Sequence, residues 1–168
     1  MPEITIEVGD KVELEKGKNP DSQLLEPTIL LSQVMEPPEG ILTDFLLRDG
    51  KSNTSSVVTE GTKNAKKAVL SYRTLQFWEE KSLVKICLHT GRHHQIRVQM
   101  AHAGHPLMGD KKYNPRCGKD YMPVGLCSVQ IGFFHPSTGE RIEYVIAPKG
   151  EAFRLFEEVK SEEYETLR

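Results

Sequence analysis

KAVLSYRTLQFWEEKSLVKICLHTGRHHQIRVQMAHAG, Lys67 to Gly104, changes its hydrophobic period partway along, and that change sets the fold class. Through KAVLSYRTLQFW, Val69, Ser71 and Arg73 alternate with Leu70, Tyr72 and Thr74, and β-formers are common. A period of two with these residue types predicts a strand. EEKS is polar enough to turn the chain, and SLVKICLH repeats the alternation, with Leu83, Lys85 and Cys87 against Val84, Ile86 and Leu88. The two runs predict a hairpin. From His93 to Ala103 the apolar residues recur instead at Ile96, Met100 and Ala103, the i, i+4, i+7 spacing of one helical face. Thr90 is placed to cap the start of that helix and Gly104 to end it.

Working outward, LCSVQIGFF (126–134) and RIEYVIAP (141–148) predict a second strand pair joined by the turn HPSTGE (135–140). EAFRLFEEVK (151–160) reads as an amphipathic helix with Phe153, Phe156 and Val159 on one face. On the N-terminal side, LLSQVM (30–35) predicts a strand, Pro37-Pro38-Glu39-Gly40 a turn, and RDGKSNTSS (48–56) a polar loop after ILTDFLL (41–47). The segment 1–28 opens with one short alternating run, PEITIEV, and is then rich in charge and turn formers, so it reads as an extension with a weak claim to the core. Residues 29–168 form the expected domain. Strands with two helices give an α+β fold, a largely antiparallel mixed sheet with flanking helices.

The 168 residues suffice for one domain with a real core. No apolar run approaches a membrane span, and MPEITIEVGDK lacks the basic start and apolar centre of a signal peptide, which points to no membrane partner and a cytoplasmic setting. Cys87, Cys117 and Cys127 are odd in number and none stands in a C-x-x-C pair, so they read as reduced thiols. The formal net charge of -2 is unevenly spread. Residues 1–60 carry 5 basic and 12 acidic side chains, residues 61–119 carry 12 and 3, and residues 120–168 carry 5 and 9. A basic middle third between acidic flanks suits a surface that meets phosphates, and equally suits a solvated charged face.

Within that third, His89, His93, His94, His102 and His105 crowd around Arg92, Arg97, Lys111 and Lys112. Zinc is the first chemistry to test, since His89 and His93 have the i, i+4 spacing of helical ligands. The context argues against it: Gly91 interrupts a helix there, no glutamate supplies a general base, and two arginines repel a cation. Phosphate or RNA contact fits better. Gly91 permits close backbone approach, a following helix N-terminus offers free N–H groups, and Arg92 and Arg97 supply planar donors. The plainer alternative is that Arg92 is a surface cation, that His94 and Gln95 satisfy buried backbone groups, and that His102 and His105 are structural.

The run His89 to Tyr113, H-T-G-R-H-H-Q-I-R-V-Q-M-A-H-A-G-H-P-L-M-G-D-K-K-Y, resembles the third motif of the RluA-type pseudouridine synthases, T-G-R-x-H-Q-I-R-V-H followed by G-H-P-I-x-G-D-x-x-Y. PPEGILTDFLLRDGKSNTS (37–55), KKAVLSYRTL (66–75) and FFHPSTGE (133–140) resemble further family segments in the same order, so the likeness covers about residues 30–160. The resemblance implies isomerisation of uridine to pseudouridine in structured RNA, rRNA or tRNA, on a base flipped out of its stack, with no metal and no organic cofactor. It assigns Arg97 as ion-pair partner of the nucleophilic aspartate. Arg92, His94, Gln95, Lys66, Lys67, Lys111 and Lys112 become candidate RNA contacts. Leu126, in L-C-S where the family has L-H-A, becomes a candidate lining of the base pocket.

The family's nucleophile lies in R-L-D-x-x-T-S-G, and that motif is absent from these 168 residues. Asp10 and Asp21 carry none of it, Asp49 falls in a segment matching a later part of the family, and Asp110 belongs to the G-H-P-L-M-G-D turn. The tyrosine of the second motif, K-x-Y-x-A, would fall near Thr28 to Leu31, where none stands, and Tyr72 matches a different position. Arg97 is therefore expected either open to water or paired with a substitute acid. Two readings follow: a synthase catalytic domain whose N-terminal half is truncated or lies on a second chain, and an RNA-binding module that has lost the chemistry. An unrelated basic α+β protein is nearly excluded by the motif.

Overall fold

The computed structural model describes residues 22–31, 33–118, 122–146, 148 and 150–156. The expected strand at 2–8, Asp10, Asp21 and the end of the expected C-terminal helix lie outside the described residues. Seven strands form one sheet: β1 (Ser22–Leu31), β2 (Glu39–Asp49), β3 (Thr54–Val58), β4 (Lys66–Trp78), β5 (Lys81–Leu88), β6 (Leu126–Phe134) and β7 (Arg141–Val145). One α-helix, α1 (Gln95–His102), sits between β5 and β6 in the chain, and a 3-10 turn covers Glu151–Phe156. The strand order is β3-β2-β4-β5-β1-β6-β7. Every neighbouring pair among these strands is antiparallel, so the sheet is not mixed.

The alternation in β4 and β5 sorts their side chains as expected. Leu70 and Tyr72 lie with Val84 and Ile86 in the cluster that also holds Ile29, Leu31, Ile96, Met100 and Leu107, so this is the face that α1 covers. Each such buried side chain contributes roughly 1.5–3 kcal/mol. The opposite pleat brings Leu30 and Leu83 against Ala152 and Phe153 of the 3-10 turn. A bulge sets Leu75 between the pairs Thr74↔Val84 and Gln76↔Leu83, and Leu75 packs with that second cluster.

Four expectations are corrected. The strand placed at Leu30–Met35 starts at Ser22 and ends at Leu31, and it lies between β5 and β6. Its Pro27 is tolerated because β1 pairs with β5 only over Thr28–Leu31, and a register shift toward β6 falls between Glu26 and Pro27. The loop placed at 48–56 is shorter, because TSSVV forms an edge strand, β3, against β2. Thr90 does not cap α1: the cap is His94, in the left-handed region at φ 55 with no side-chain capping bond. The C-terminal helix is, as far as Phe156, a 3-10 turn entered through the Phe153 N–H to Gly150 carbonyl bond of 3.0 Å.

Candidate active site

The loop between β5 and α1 is built by Gln95. Its Oε1 accepts from Thr90 Oγ1 at 2.8 Å and from the Arg92 N–H at 2.9 Å, while its Nε2 donates to the Val69 carbonyl at 3.0 Å. Gln95 is buried and spends its amide on tying Thr90–Arg92 to β4, so it holds the loop rather than facing outward. Arg92 Nε donates to the Lys67 carbonyl at 2.9 Å, which seats its guanidinium by the start of β4 beside the exposed Lys66 and Lys67.

Arg97, in the first turn of α1, is paired with Asp110. Its Nε donates to Oδ2 and its Nη2 to Oδ1, both at 2.7 Å. The Asp110 side chain is fully buried and that of Arg97 is 18% exposed. Oδ1 also accepts from the backbone N–H groups of Lys112 and Tyr113 at 3.0 and 3.1 Å. Burial pushes the Asp110 carboxyl up, but Arg97 and the two backbone donors outweigh it and hold the group below the usual carboxylate range. Arg97 is held above its ordinary value, chiefly by the hydrogen bonds to Asp110. Of the two expected states for Arg97, pairing with a substitute acid is the one observed, and that acid is the residue read as a mere turn former.

Asp110 reaches Arg97 because the segment after α1 is pinned. Gly104 leaves the helix at φ 87, Leu107 enters the core and bridges Leu31, and Met108 donates to the Leu30 carbonyl at 2.8 Å. Gly109, at φ 72, packs so closely on the Pro123 carbonyl that no side chain fits. Gly125 closes the same corner by donating to Met108, and Leu126, 37% exposed, begins β6 just beyond it.

Around the pair stand His93, His94 and Tyr113. The two imidazoles stack at 3.8 Å, and Arg97 Cζ lies 5.0 Å from the centre of the Tyr113 ring. His93 binds the β2–β3 loop, with Nδ1 2.9 Å from Ser55 Oγ and Nε2 3.1 Å from Asn53 Oδ1. The Ser55 N–H donates to the Tyr113 hydroxyl at 2.9 Å, and Lys112 Nζ donates to the Asn53 carbonyl at 2.9 Å. His94 lies between a guanidinium and a phenol: Nε2 is 3.4 Å from Arg97 Nη1, Nδ1 is 2.8 Å from the Tyr113 hydroxyl. Arg97 can only donate, so Nε2 carries the lone pair, Nδ1–H donates to the phenol oxygen, and the phenol hydrogen is left to give. Burial, then the charges of Arg97, His93 and Lys112, holds His94 below the ordinary histidine range, with Asp110 opposing. Burial, then Arg48, Lys112 and Arg97, does the same for His93.

The structure thus gathers Arg92, His94, Gln95, Arg97 and Lys112 around one loop, with Lys111 exposed next to Lys112. His89, aimed at Ser71 Oγ at 3.0 Å, and His93 serve separate networks. The other described aspartates are occupied: Asp44 takes Gln99 Nε2 at 2.8 Å and His102 Nδ1 at 3.1 Å, and Asp49 takes the Lys51 N–H and Ser52 Oγ. Sequence reasoning missed Asp110, Tyr113, Ser55 and Asn53 as members of the cluster. The G-D-x-x-Y spacing that joins the first two was the available signal.

One antiparallel sheet with this helix and loop is the fold of pseudouridylate synthase domains. Human RNA pseudouridylate synthase domain containing 1 superposes with a TM-score of 0.64 at 20% identity, covering 75% of this chain and 55% of that one. Human RNA pseudouridylate synthase domain containing 4 gives 0.63 at 20% identity, covering 80% and 59%. The chain belongs to the RNA pseudouridylate synthase family, whose sequence pattern matches residues 11–102, and within it to the RluA type. It is 38% identical over 117 residues to the uncharacterized RNA pseudouridine synthase YlyB of Bacillus subtilis, covering 70% of this chain and 38% of that protein. To ribosomal large subunit pseudouridine synthase D of Vibrio cholerae it is 33% identical over 108 residues, covering 56% and 33%. The chain therefore spans little more than a third of the length of these curated relatives.

Proposed function

We propose that this chain is the C-terminal part of the catalytic domain of an RNA pseudouridine synthase, and that it contributes the arginine side of the site while the nucleophilic aspartate comes from a segment outside these residues, on the same or a second chain. The observation that carries the reading is Arg97: a charged, oriented guanidinium on the first turn of α1, beside a basic loop, with donors left over after its own acid is satisfied. In the reaction, the C–N glycosidic bond of a flipped uridine breaks, the uracil turns, and a C–C bond forms at C5 with loss of the C5 proton. A carboxylate beside C1′ and its arginine partner act as a unit, so neither alone retains most of the rate. The substrate is structured RNA in the cytoplasm. Relatives named for the large ribosomal subunit favour rRNA over tRNA, and Leu126 is the proposed apolar contact to the base.

Tritium release from RNA labelled at uridine C5 tests this. The chain alone should release no more than background. Adding a fragment that bears R-L-D-x-x-T-S-G should restore release, and Arg97→Met should then abolish it. RNA binding without release under any complementation would instead identify a module that has lost the chemistry. Release from the chain alone that disappears with Asp44→Asn or Asp49→Asn would reveal a relocated nucleophile and overturn the reading.

A further inference from the structure

Arg97 has five N–H donors, and Asp110 takes only two of them, Nε–H and one Nη2–H, from the side. His94 Nε2 sits 3.4 Å from Nη1 and takes one more loosely. One Nη2–H and one Nη1–H remain, and Nη1 with Nη2 makes the end-on edge, the other geometry in which a guanidinium grips a carboxylate with two parallel bonds. Among the described residues no carboxylate occupies that edge. The group is held from two sides, by the two bonds to the fully buried Asp110 and by the Tyr113 ring, over which Cζ lies at 5.0 Å. Asp110 is in turn locked by the N–H groups of Lys112 and Tyr113, so it cannot follow Arg97 if the guanidinium swings.

We propose that Asp110 and Tyr113 are positioning residues that hold Arg97 with its side-on edge filled and its end-on edge presented as a receptor for one further carboxylate. Resting on the reading above, this names the orientation in which the incoming acid meets Arg97. One arginine serves two acids: the resident carboxylate keeps the guanidinium charged and still, and the visiting one takes the edge that the resident leaves. This arrangement offsets a cost that a lone partly buried cation carries, so the receptor is stable before its second acid arrives.

Formate is the probe, titrated into the full chain with the arginine side-chain nitrogens followed by 15N NMR. The Nη resonances of Arg97 should shift and saturate while its Nε stays fixed, with half-saturation roughly tenfold lower than at the exposed Arg73, the gain of about one charge-assisted hydrogen bond. In Asp110→Asn the side-on edge is open as well, and Nε should join the shift. A merely structural Asp110 would alter stability without redistributing the response between Nε and Nη. Silent Nη groups in the wild-type chain, or an Nε that moves with them, would overturn the proposal. If Asp110→Asn does not fold, the wild-type split decides alone, and Tyr113→Phe, which keeps the ring, should preserve it. This outcome is independent of the tritium assay: a clear split with no release under complementation leaves the receptor standing and removes the synthase reading, and restored release with silent Nη groups does the reverse.

Discussion

At the scale of single residues, His94 carries the most consequence for its size. It occupies a left-handed backbone position, caps α1 through its carbonyl, stacks on His93, and accepts from Arg97 through a lone pair that protonation would destroy. Its proton affinity is depressed in the fold, first by burial. An unfolded chain therefore takes up the proton before the folded one does, and the stability that neutral His94 supports is complete above about pH 6.5 and lost as the pH falls below it. The urea midpoint should drop between pH 7.5 and pH 5.5. His94→Asn, which tolerates the left-handed backbone and does not titrate, should shrink that drop, with the likewise depressed His89, His93 and His105 accounting for the remainder. A drop of unchanged size would remove His94 from the account. Little of this was legible in the sequence. Arg97 could be singled out by its motif, and G-D-x-x-Y joined Asp110 to Tyr113, but nothing local tied Asp110 to Arg97, because only the three-dimensional course of residues 104–110 brings it to α1.

At the scale of elements, alternation located β4 and β5, although both are covered on two faces over much of their length, and the turn HPSTGE between two β-forming runs located β6 and β7. It failed for β3. TSSVV is an edge strand with one neighbour, and its polar residues resemble a loop because partners elsewhere in the chain satisfy them. Ser55 is the clearest case: its N–H goes to the Tyr113 hydroxyl and its Oγ to His93 Nδ1. Those two bonds clamp the β2–β3 hairpin onto the segments before and after α1, the helix that carries Arg97. Tyr113→Phe keeps the ring against Arg97 and leaves the buried Ser55 N–H without its acceptor, a cost of about 1–3 kcal/mol. Hydrogen exchange at the Ser55 amide should accelerate by about fivefold or more, while the Lys51 amide, bonded to Asp49 within its own turn, should keep its rate. Equal rates at Ser55 in the two proteins would show that the hairpin is held by β2 alone.

For the whole molecule, the strand order was beyond reach of local pattern, since β1 is the first described strand yet lies between β5 and β6, a pairing across more than fifty residues. The charge map was within reach, and the fold sharpens it. Register pairs Lys66 and Lys67 at the start of β4 with Leu46 and Phe45, in the half of β2 that leads to the β2–β3 loop to which Lys112 is bonded, and Arg92 is bonded to Lys67. The cations that sequence spreads over forty-seven positions, Lys66 to Lys112, are therefore tied to two loops that His93 joins, the β2–β3 loop through Lys112 and the β5–α1 loop through Arg92, and α1, which follows the second, carries Arg97. A cluster of that kind binds a polyanion by displacing its counterions, so affinity for structured RNA should fall linearly with the logarithm of salt concentration. Reversing Lys66, Lys67, Lys111 and Lys112 to Glu should weaken binding to any structured RNA by a similar factor and flatten that slope by up to roughly three, at about 0.7 for each single-strand phosphate that is no longer neutralised. None of the four is buried, so the unfolding free energy should change by no more than about 0.5 kcal/mol per site. Binding that is unchanged at moderate salt, in a variant that remains folded, would move the RNA surface away from this end of the sheet.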